Sequence, residues 1–277
     1  MKIVSFLIIT KKLIRIFNIF PRFFIAIHNL GLLNSFKVFI NKFYLKKKIS
    51  KIKTRKFGTI YWRSYCDYGV ISHLFSSQIG FDTKNDKVKT IIDIGANIGI
   101  ETKRLRKLFP NSKIISVEPD ISNYKILELN TKDDNNITIL NKAIWNKKTT
   151  LEIKNHFSNN SQTFYVTEKK REETINEIDS LSIKDILNEQ NLNSIDIIKI
   201  DTEGAEVKIF DESCDKWISS VKVIIVECPD KEAPLTTMKI FKAFERNNLK
   251  FNTYINGENL VFIRENCNFI PVSTHYY

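Results

Sequence analysis

The sequence predicts a doubly wound α/β fold with a mostly parallel sheet, preceded by a basic, helical N-terminal extension. Three observations point there. Short runs rich in isoleucine and valine alternate with helical stretches from residue 58 onward, the run at 90–94 enters a glycine-bearing loop, and positive charge is concentrated at one end.

The 277 residues, 43% hydrophobic and 27% charged, suit one ordered domain of common size plus an extension, and exclude a disordered or collagen-like chain. The formal charge is +12, but residues 1–57 hold 14 Lys or Arg and no Asp or Glu, while the other 220 residues carry 29 basic and 31 acidic side chains. Two regions follow: a basic amphipathic arm at 1–57 and a near-neutral domain at 58–277.

Within the arm, residues 11–20 set Lys11, Arg15 and Asn18 on one helical stripe and Leu13, Ile14, Phe17 and Phe20 on another. A second helix is expected where Phe36, Phe39, Ile40, Phe43 and Tyr44 recur at helical spacing. The 14 uncharged residues between Arg22 and Lys37 are too few to span a bilayer, which needs about 20. Nine of the 20 phenylalanines lie in the arm, which favours peripheral contact with an anionic membrane over nucleic-acid binding; the competing reading packs these apolar faces on the domain or a second subunit. The apolar stretch Ile3–Ile9 is short, lacks a cleavage site and is soon followed by Lys11 and Lys12, so the expected location is cytoplasmic, peripheral on the cytoplasmic membrane face. Cys66, Cys214, Cys228 and Cys267 show neither zinc spacing nor a disulfide framework and are read as free thiols.

In the domain, strands are expected at Ile91–Ile94, Lys113–Val117, Ile137–Leu140, Ile195–Ile200 and Val221–Glu227, with helices near 100–109, 121–131, 203–211 and 235–247. Ligands of such sheets bind at the carboxyl ends of the strands. There the first strand, Thr90-Ile91-Ile92-Asp93-Ile94, runs into Gly95-Ala96-Asn97-Ile98-Gly99. A dinucleotide loop would read G-x-G-x-x-G, and Asp93 would repel a pyrophosphate. S-adenosylmethionine, with a sulfonium, an ammonium and no phosphate, suits the charge better. Glu118 ends the second strand, where a carboxylate can accept hydrogen bonds from both ribose hydroxyls.

With these residues in place the chain resembles the FkbM family of methyltransferases, through D-I-G-A-N-I-G at 93–99, V-E-P-D at 117–120 and K-I-D-T-E-G-A-E at 199–206. Further matches are Asn123, Leu127 and Asn130, the Ala143-Ile144 pair, and Val226-Glu227. The resemblance covers roughly 58–263 and leaves the arm outside. It implies a class I methyltransferase (Rossmann-like) seven-stranded sheet whose last strand is antiparallel, with Phe251–Ile255 and Leu260–Arg264 as the closing hairpin. It also implies S-adenosylmethionine-dependent O-methyl transfer. The residues expected to contact the cofactor are Asp93, Gly95, Asn97, Gly99, Glu118, Ala143 and Asp201, and the catalytic candidates are Asp201 and Glu203. Lys184 stands where the family often has Asp, so no role of that Asp carries over.

Asp201, Glu203 and Glu206 follow the strand ending at Ile200 and so lie at the rim where cofactor and acceptor meet. Asp201 has three readings: a partner for the cofactor's ammonium, a general base, or a metal ligand; no metal site is assigned. Glu206 also reads as an acid complementing a helix N-terminus. Glu227 can face the same pocket, and His73 and His156 are weaker candidates. The polar stretch 156–177 reads as a substrate-covering loop. The expected acceptor is a hydroxyl of a small molecule, saccharide or glycan, including a lipid-linked one. The alternatives are a nucleic-acid methyltransferase, disfavoured because Asp201-Thr202-Glu203-Gly204 stands where amino-methylating types carry N-P-P-Y-like residues, and an inactive scaffold working through its arm.

Overall fold

A computed structural model describes residues 33, 35, 36, 49–54, 57–63, 67, 81–83, 88–155, 164–168, 176–227, 230 and 233–271. The chain forms two compact units, Met1–Ser76 and Ser77–Tyr277.

In the first unit, β1 (Ser50–Thr54) and β2 (Gly58–Trp62) pair antiparallel with Thr54 opposite Gly58. The boundary expected at 57/58 therefore falls inside a hairpin whose ladder ties both sides together, and the compact units part between Ser76 and Ser77. Of the expected arm helices only Phe36 is described, and it is helical, as are Leu33 and Ser35 before it; the remainder of both, with His73, lies outside the described residues. Among the described residues no helix is long and apolar enough to cross a membrane.

In the second unit a short β3 (Phe81–Thr83) pairs antiparallel with β15 (Phe269–Pro271), and the body is built on a seven-stranded sheet. Its strands are β4 (Thr90–Ile94), β5 (Lys113–Val117), β6 (Ile137–Leu140), β11 (Ile195–Ile200), β12 (Val221–Glu227), β13 (Phe251–Asn256) and β14 (Asn259–Arg264), in the spatial order β13-β14-β12-β11-β4-β5-β6. β14 pairs antiparallel with both neighbours and the other contacts are parallel, so the last strand of the sheet is the single reversed one. Both β4 and β11 are buried along their whole length, as an isoleucine run covered on both faces should be. One face packs Ile92, Ile94, Ile198, Ile200, Ile224 and Val226 with Phe244 and Phe262. The other packs Ile91, Ile114, Ile197, Val223 and Val261 with Leu105.

The helices join consecutive strands. α1 (Ile100–Leu108) starts directly after Gly99, and α2 (Ile121–Thr131) is capped by Asp120, whose carboxylate accepts the Asn123 N–H at 2.8 Å. α3 (Ile183–Glu189) opens with a capping box between Ser182 and Asp185, one residue beyond the substituted Lys184. The helix expected near 203–211 shrinks to one turn, α4 (Glu206–Ile209), because Glu203 at φ 58° and Gly204 at φ 124° break the helical path. α5 (Thr236–Arg246) precedes the closing hairpin.

Between β6 and β11 the chain inserts a second, four-stranded sheet in the order β7-β10-β8-β9, from β7 (Ala143–Ile144), β8 (Thr150–Asn155), β9 (Phe164–Glu168) and β10 (Glu177–Leu181). The 156–177 stretch is therefore not a plain loop. Phe164–Glu168 pairs antiparallel with β8, and an edge strand with one buried face tolerates the polar residues that disguise it. His156 and the rest of 156–163 and 169–175 lie outside the described residues.

Candidate active site

Strand register places the polar residues of one face in rows. Ser116, Asp93, Lys199 and Ile225 are successive Cα partners on β5, β4, β11 and β12. Two residues further along each strand direction come Glu118, Gly95, Asp201 and Glu227, at the carboxyl ends of the parallel strands.

The loop after β4 is shaped by its backbone. Gly95 and Ala96 both donate to the Val117 carbonyl at 3.0 Å, while Gly95, Asn97 and Gly99 have φ of 77°, 50° and 83°. A Cβ at Gly95 would lie 1.7 Å from the Asp201 carbonyl oxygen, so the absence of a side chain there lets the β4 loop close against the β11 end. At Gly99 a Cβ would meet Leu127 Cδ1 at 2.6 Å. α2 braces the same loop with one face: Asn130 Nδ2 donates to the Ile98 carbonyl at 2.7 Å and Asn123 Nδ2 to Glu118 Oε1 at 3.2 Å. The Asn123, Leu127, Asn130 spacing is thus the contact surface of a helix on the loop.

Glu118 is buried, and its carboxylate accepts the backbone N–H groups of Asn97 (2.8 Å) and Asp120 (2.9 Å). Burial pushes its carboxyl up to about 7, against these hydrogen bonds and that of Asn123. Asn141 Nδ2 donates to the Glu118 and Pro119 carbonyls at 2.9 Å, fastening the segment that leads to Ala143. Ala143 is buried and is the first residue of β7.

Asp93 has no exposed surface and lies at the base of the loop. Its Oδ2 accepts the Thr102 hydroxyl at 2.6 Å, and Thr102 Oγ1 lies 3.0 Å from Ser116 Oγ. Burial pushes the carboxyl up to about 6, against the pull of Lys199.

Lys199 lies inside the buried strand β11, where a charged side chain requires a partner. Its Nζ donates to Asp201 Oδ2 at 2.7 Å, with the two side chains 11% and 31% exposed, so Asp201 is the member that faces outward. Burial alone would favour neutral lysine; the charges of Asp201, Asp93 and Glu101 outweigh it and hold the ammonium above its usual range. Glu206 is fully buried and closes the loop after β11, accepting the N–H groups of Thr202 (2.6 Å) and Gly204 (2.8 Å). It organises the loop that carries Asp201 and Glu203. Glu227 ends β12 beside the β11 end, and burial, then the Asp201 and Glu203 charges, raise its pKa well above the carboxylate range. Asp93, Glu118, Asp201, Glu203 and Glu227 are thus gathered around one loop pair, with Lys199 as the positive charge set among them.

Among the described residues no group of three or more His, Cys, Asp or Glu is arranged to hold a metal. Cys214 is a buried free thiol and Cys267 a half-buried one; Cys66 and Cys228 lie outside the described residues.

Six parallel strands, one reversed last strand and an acidic glycine loop at the end of β4 define a class I, Rossmann-like methyltransferase. The Methyltransferase FkbM domain matches residues 93–251, more than half of the chain, and the chain belongs to that family. It is an S-adenosylmethionine-dependent methyltransferase. No curated protein matches the chain. Solved structures that resemble it include precorrin-6y C5,15-methyltransferase from Geobacter metallireducens GS-15 (14% identity, 65% of this chain and 80% of that one, TM-score 0.36). Others are the Methanococcus jannaschii fibrillarin pre-rRNA processing protein (12%, 78% and 82%, TM-score 0.39) and the N-terminal domain of human METTL16 in complex with SAH (13%, 65% and 64%, TM-score 0.36).

The donor set fits this cofactor. Glu118 offers a buried carboxylate beside the left-handed Asn97, and Asp201 offers an outward-facing one. Lys199, the cation at the β11 end, is already neutralised by Asp201, leaving a carboxylate-lined site that accepts a cation and disfavours a phosphate. When bound, S-adenosylmethionine supplies an electrophilic methyl on a sulfonium. Glu118 would take the ribose hydroxyls, and Asp201 the ammonium or the acceptor.

The Glu118 shift carries a pH prediction. A protonated carboxyl loses acceptor capacity for ribose hydroxyls, so cofactor affinity is expected to be about tenfold weaker at about pH 6 than at about pH 8, read by calorimetry. Stability runs the other way. A carboxyl whose folded pKa is raised from 4.5 to about 7 contributes stability below its unfolded value and loses it as pH rises through 7, on the order of 3 kcal/mol.

Proposed function

We propose that this enzyme transfers methyl to a hydroxyl oxygen of a saccharide or glycan, in particular a lipid-linked one, at the cytoplasmic membrane face. The observation that carries the reading is the carboxylate group at the rim. Asp201 and Glu227 stand at the carboxyl ends of the adjacent parallel strands β11 and β12 beside the cofactor loop, and Asp201 is partly exposed. A hydroxyl loses its proton on methylation, and carboxylates placed at the reacting end serve both to orient it and to receive that proton. A polyanionic acceptor is poorly matched to this rim, because Asp201, Glu203 and Glu227 would face its phosphates.

The membrane part of the reading is supported by composition. The 14 basic residues and nine phenylalanines of 1–57 suit an interfacial helix that brings the domain to an anionic surface, where each basic side chain contributes on the order of 1 kcal/mol. A screen of radiolabelled methyl transfer into lipid-linked glycans, free sugars and RNA tests the acceptor. Label is expected in the glycan fractions in alkali-stable ether linkage; label in RNA alone would overturn the proposal.

A further inference from the structure

The seven-stranded sheet ends at β13, which pairs with β14 on one side; among the described residues no strand adds to its other side. The ladder fixes which backbone groups that leaves outward. Lys250 continues the register opposite Glu265, whose N–H donates to the Lys250 carbonyl at 3.0 Å. The even-numbered residues therefore bond β14, and Phe251, Thr253 and Ile255 turn their N–H and C=O groups away from it. Sheet edges are ordinarily guarded by a charge within the strand, a proline or a bulge. Phe251-Asn252-Thr253-Tyr254-Ile255-Asn256 has no charge and no proline, its register with β14 is unbroken, and Ile255 is 77% exposed.

We propose that β13 pairs antiparallel with β13 of a second copy of this chain, in the register that sets Tyr254 opposite itself, so that the sheet continues across a two-fold axis. Outward groups on odd-numbered residues allow only registers that pair odd with odd. Charge chooses among those centred on the strand. With Thr253 opposite itself, Lys250 meets Asn256 and Glu258 meets Asn248; with Ile255 opposite itself, Glu258 meets Asn252 and Lys250 runs past the hairpin. With Tyr254 opposite itself, the Lys250 of each copy lies across from the Glu258 of the other, and both residues are exposed. Opposite charges then close both ends of the ladder. The same register sets Thr253 against Ile255 in hydrogen-bonded pairs and brings the two Tyr254 rings together in a close, non-hydrogen-bonded pair.

A dimer interface of ordinary size buries about 800 Å² per partner, more than one strand edge provides, and α5 extends it. Phe244 stacks on Phe251 with ring centroids 4.4 Å apart, and Phe241 lies 5.7 Å from Phe262, the β14 partner of Thr253. The helix therefore runs back along the edge, on the face that carries Ile255. Met238 and Phe241, three residues apart on α5, are both exposed. A two-fold axis perpendicular to the sheet brings the α5 helices of both copies to the same face, where these side chains and Ile255 form the apolar surface that the second copy covers.

Sedimentation velocity of the full chain in the micromolar range tests this. Wild type is expected to sediment as a dimer, and Ile255→Lys, which places a charge on the edge, as a monomer. Lys250→Glu and Glu258→Lys each set like charges across the axis twice and are expected to weaken the dimer about tenfold; the two substitutions together restore opposite charges and wild-type association. A monomeric wild type, a dimer that survives Ile255→Lys, or a double variant no tighter than the single ones would overturn the proposal. The first leaves the edge without a second copy, the second puts the dimer on another surface, and the third removes the register. Circular dichroism checks the fold. If Ile255→Lys does not fold, the charge exchange decides alone, since both of its positions are exposed.

Discussion

Gly95→Ala is expected to abolish cofactor binding and to destabilise the domain by at least about 2 kcal/mol. Two costs combine. The residue holds φ at 77°, where a side chain is strained, and its Cβ would lie 1.7 Å from the Asp201 carbonyl oxygen, a backbone atom that cannot swing aside. The β4 loop must then move off the β11 end, pulling Asn97 from Glu118 and disturbing Asp201 together. Gly99→Ala makes the informative comparison. Its φ is similar at 83°, but the atom a Cβ would meet, Leu127 Cδ1 at 2.6 Å, is the tip of a flexible side chain. Thermal melts with and without S-adenosylmethionine should show a ligand-induced shift in wild type, a reduced one in Gly99→Ala and none in Gly95→Ala.

Asp201→Asn is expected to lower methyl transfer by about 100-fold or more while leaving the fold intact, in the range that mispositioned acid–base groups cost. The amide keeps the shape but cannot neutralise Lys199, 2.7 Å away, and the Glu227 carboxyl loses its anionic partner. Asp201→Ala should be at least as damaging. Circular dichroism checks the fold, and a well-folded variant turning over at the wild-type rate would remove Asp201 from the reacting centre.

The sheet was legible because its strands are written in isoleucine. Lys113–Val117, Ile137–Leu140, Ile195–Ile200 and Val221–Glu227 have the bounds expected from sequence, and the closing hairpin around Gly257 differs from expectation by one residue at an end. The antiparallel position of β14 came from the family resemblance, since pairing direction leaves no mark in a single strand's composition.

What was not legible depends on partners distant in sequence. β9 is recognisable as a strand only once β8 stands beside it, since Thr163, Thr167 and Glu168 give no apolar alternation beyond Phe164 and Val166. Glu206 looked like ordinary helix chemistry, yet it ties the N–H groups of Thr202 and Gly204, a role visible only when the loop doubles back. Lys199 is legible only in part. Its position inside Ile195–Ile200 demanded a countercharge, and Asp93 stands directly opposite it in the register while Asp201 follows two residues on. The acidic loop was found by motif; the charge balance within it required the register of four strands.

Calorimetric titration of the full chain at about pH 8 tests the cofactor site most directly. S-adenosylmethionine is expected to bind saturably, Glu118→Ala to weaken that binding at least about tenfold, and NAD to give no heat of binding. Saturable NAD binding, or S-adenosylmethionine binding indifferent to Glu118, would contradict a strand-end site built by carboxylates for a cation-bearing cofactor.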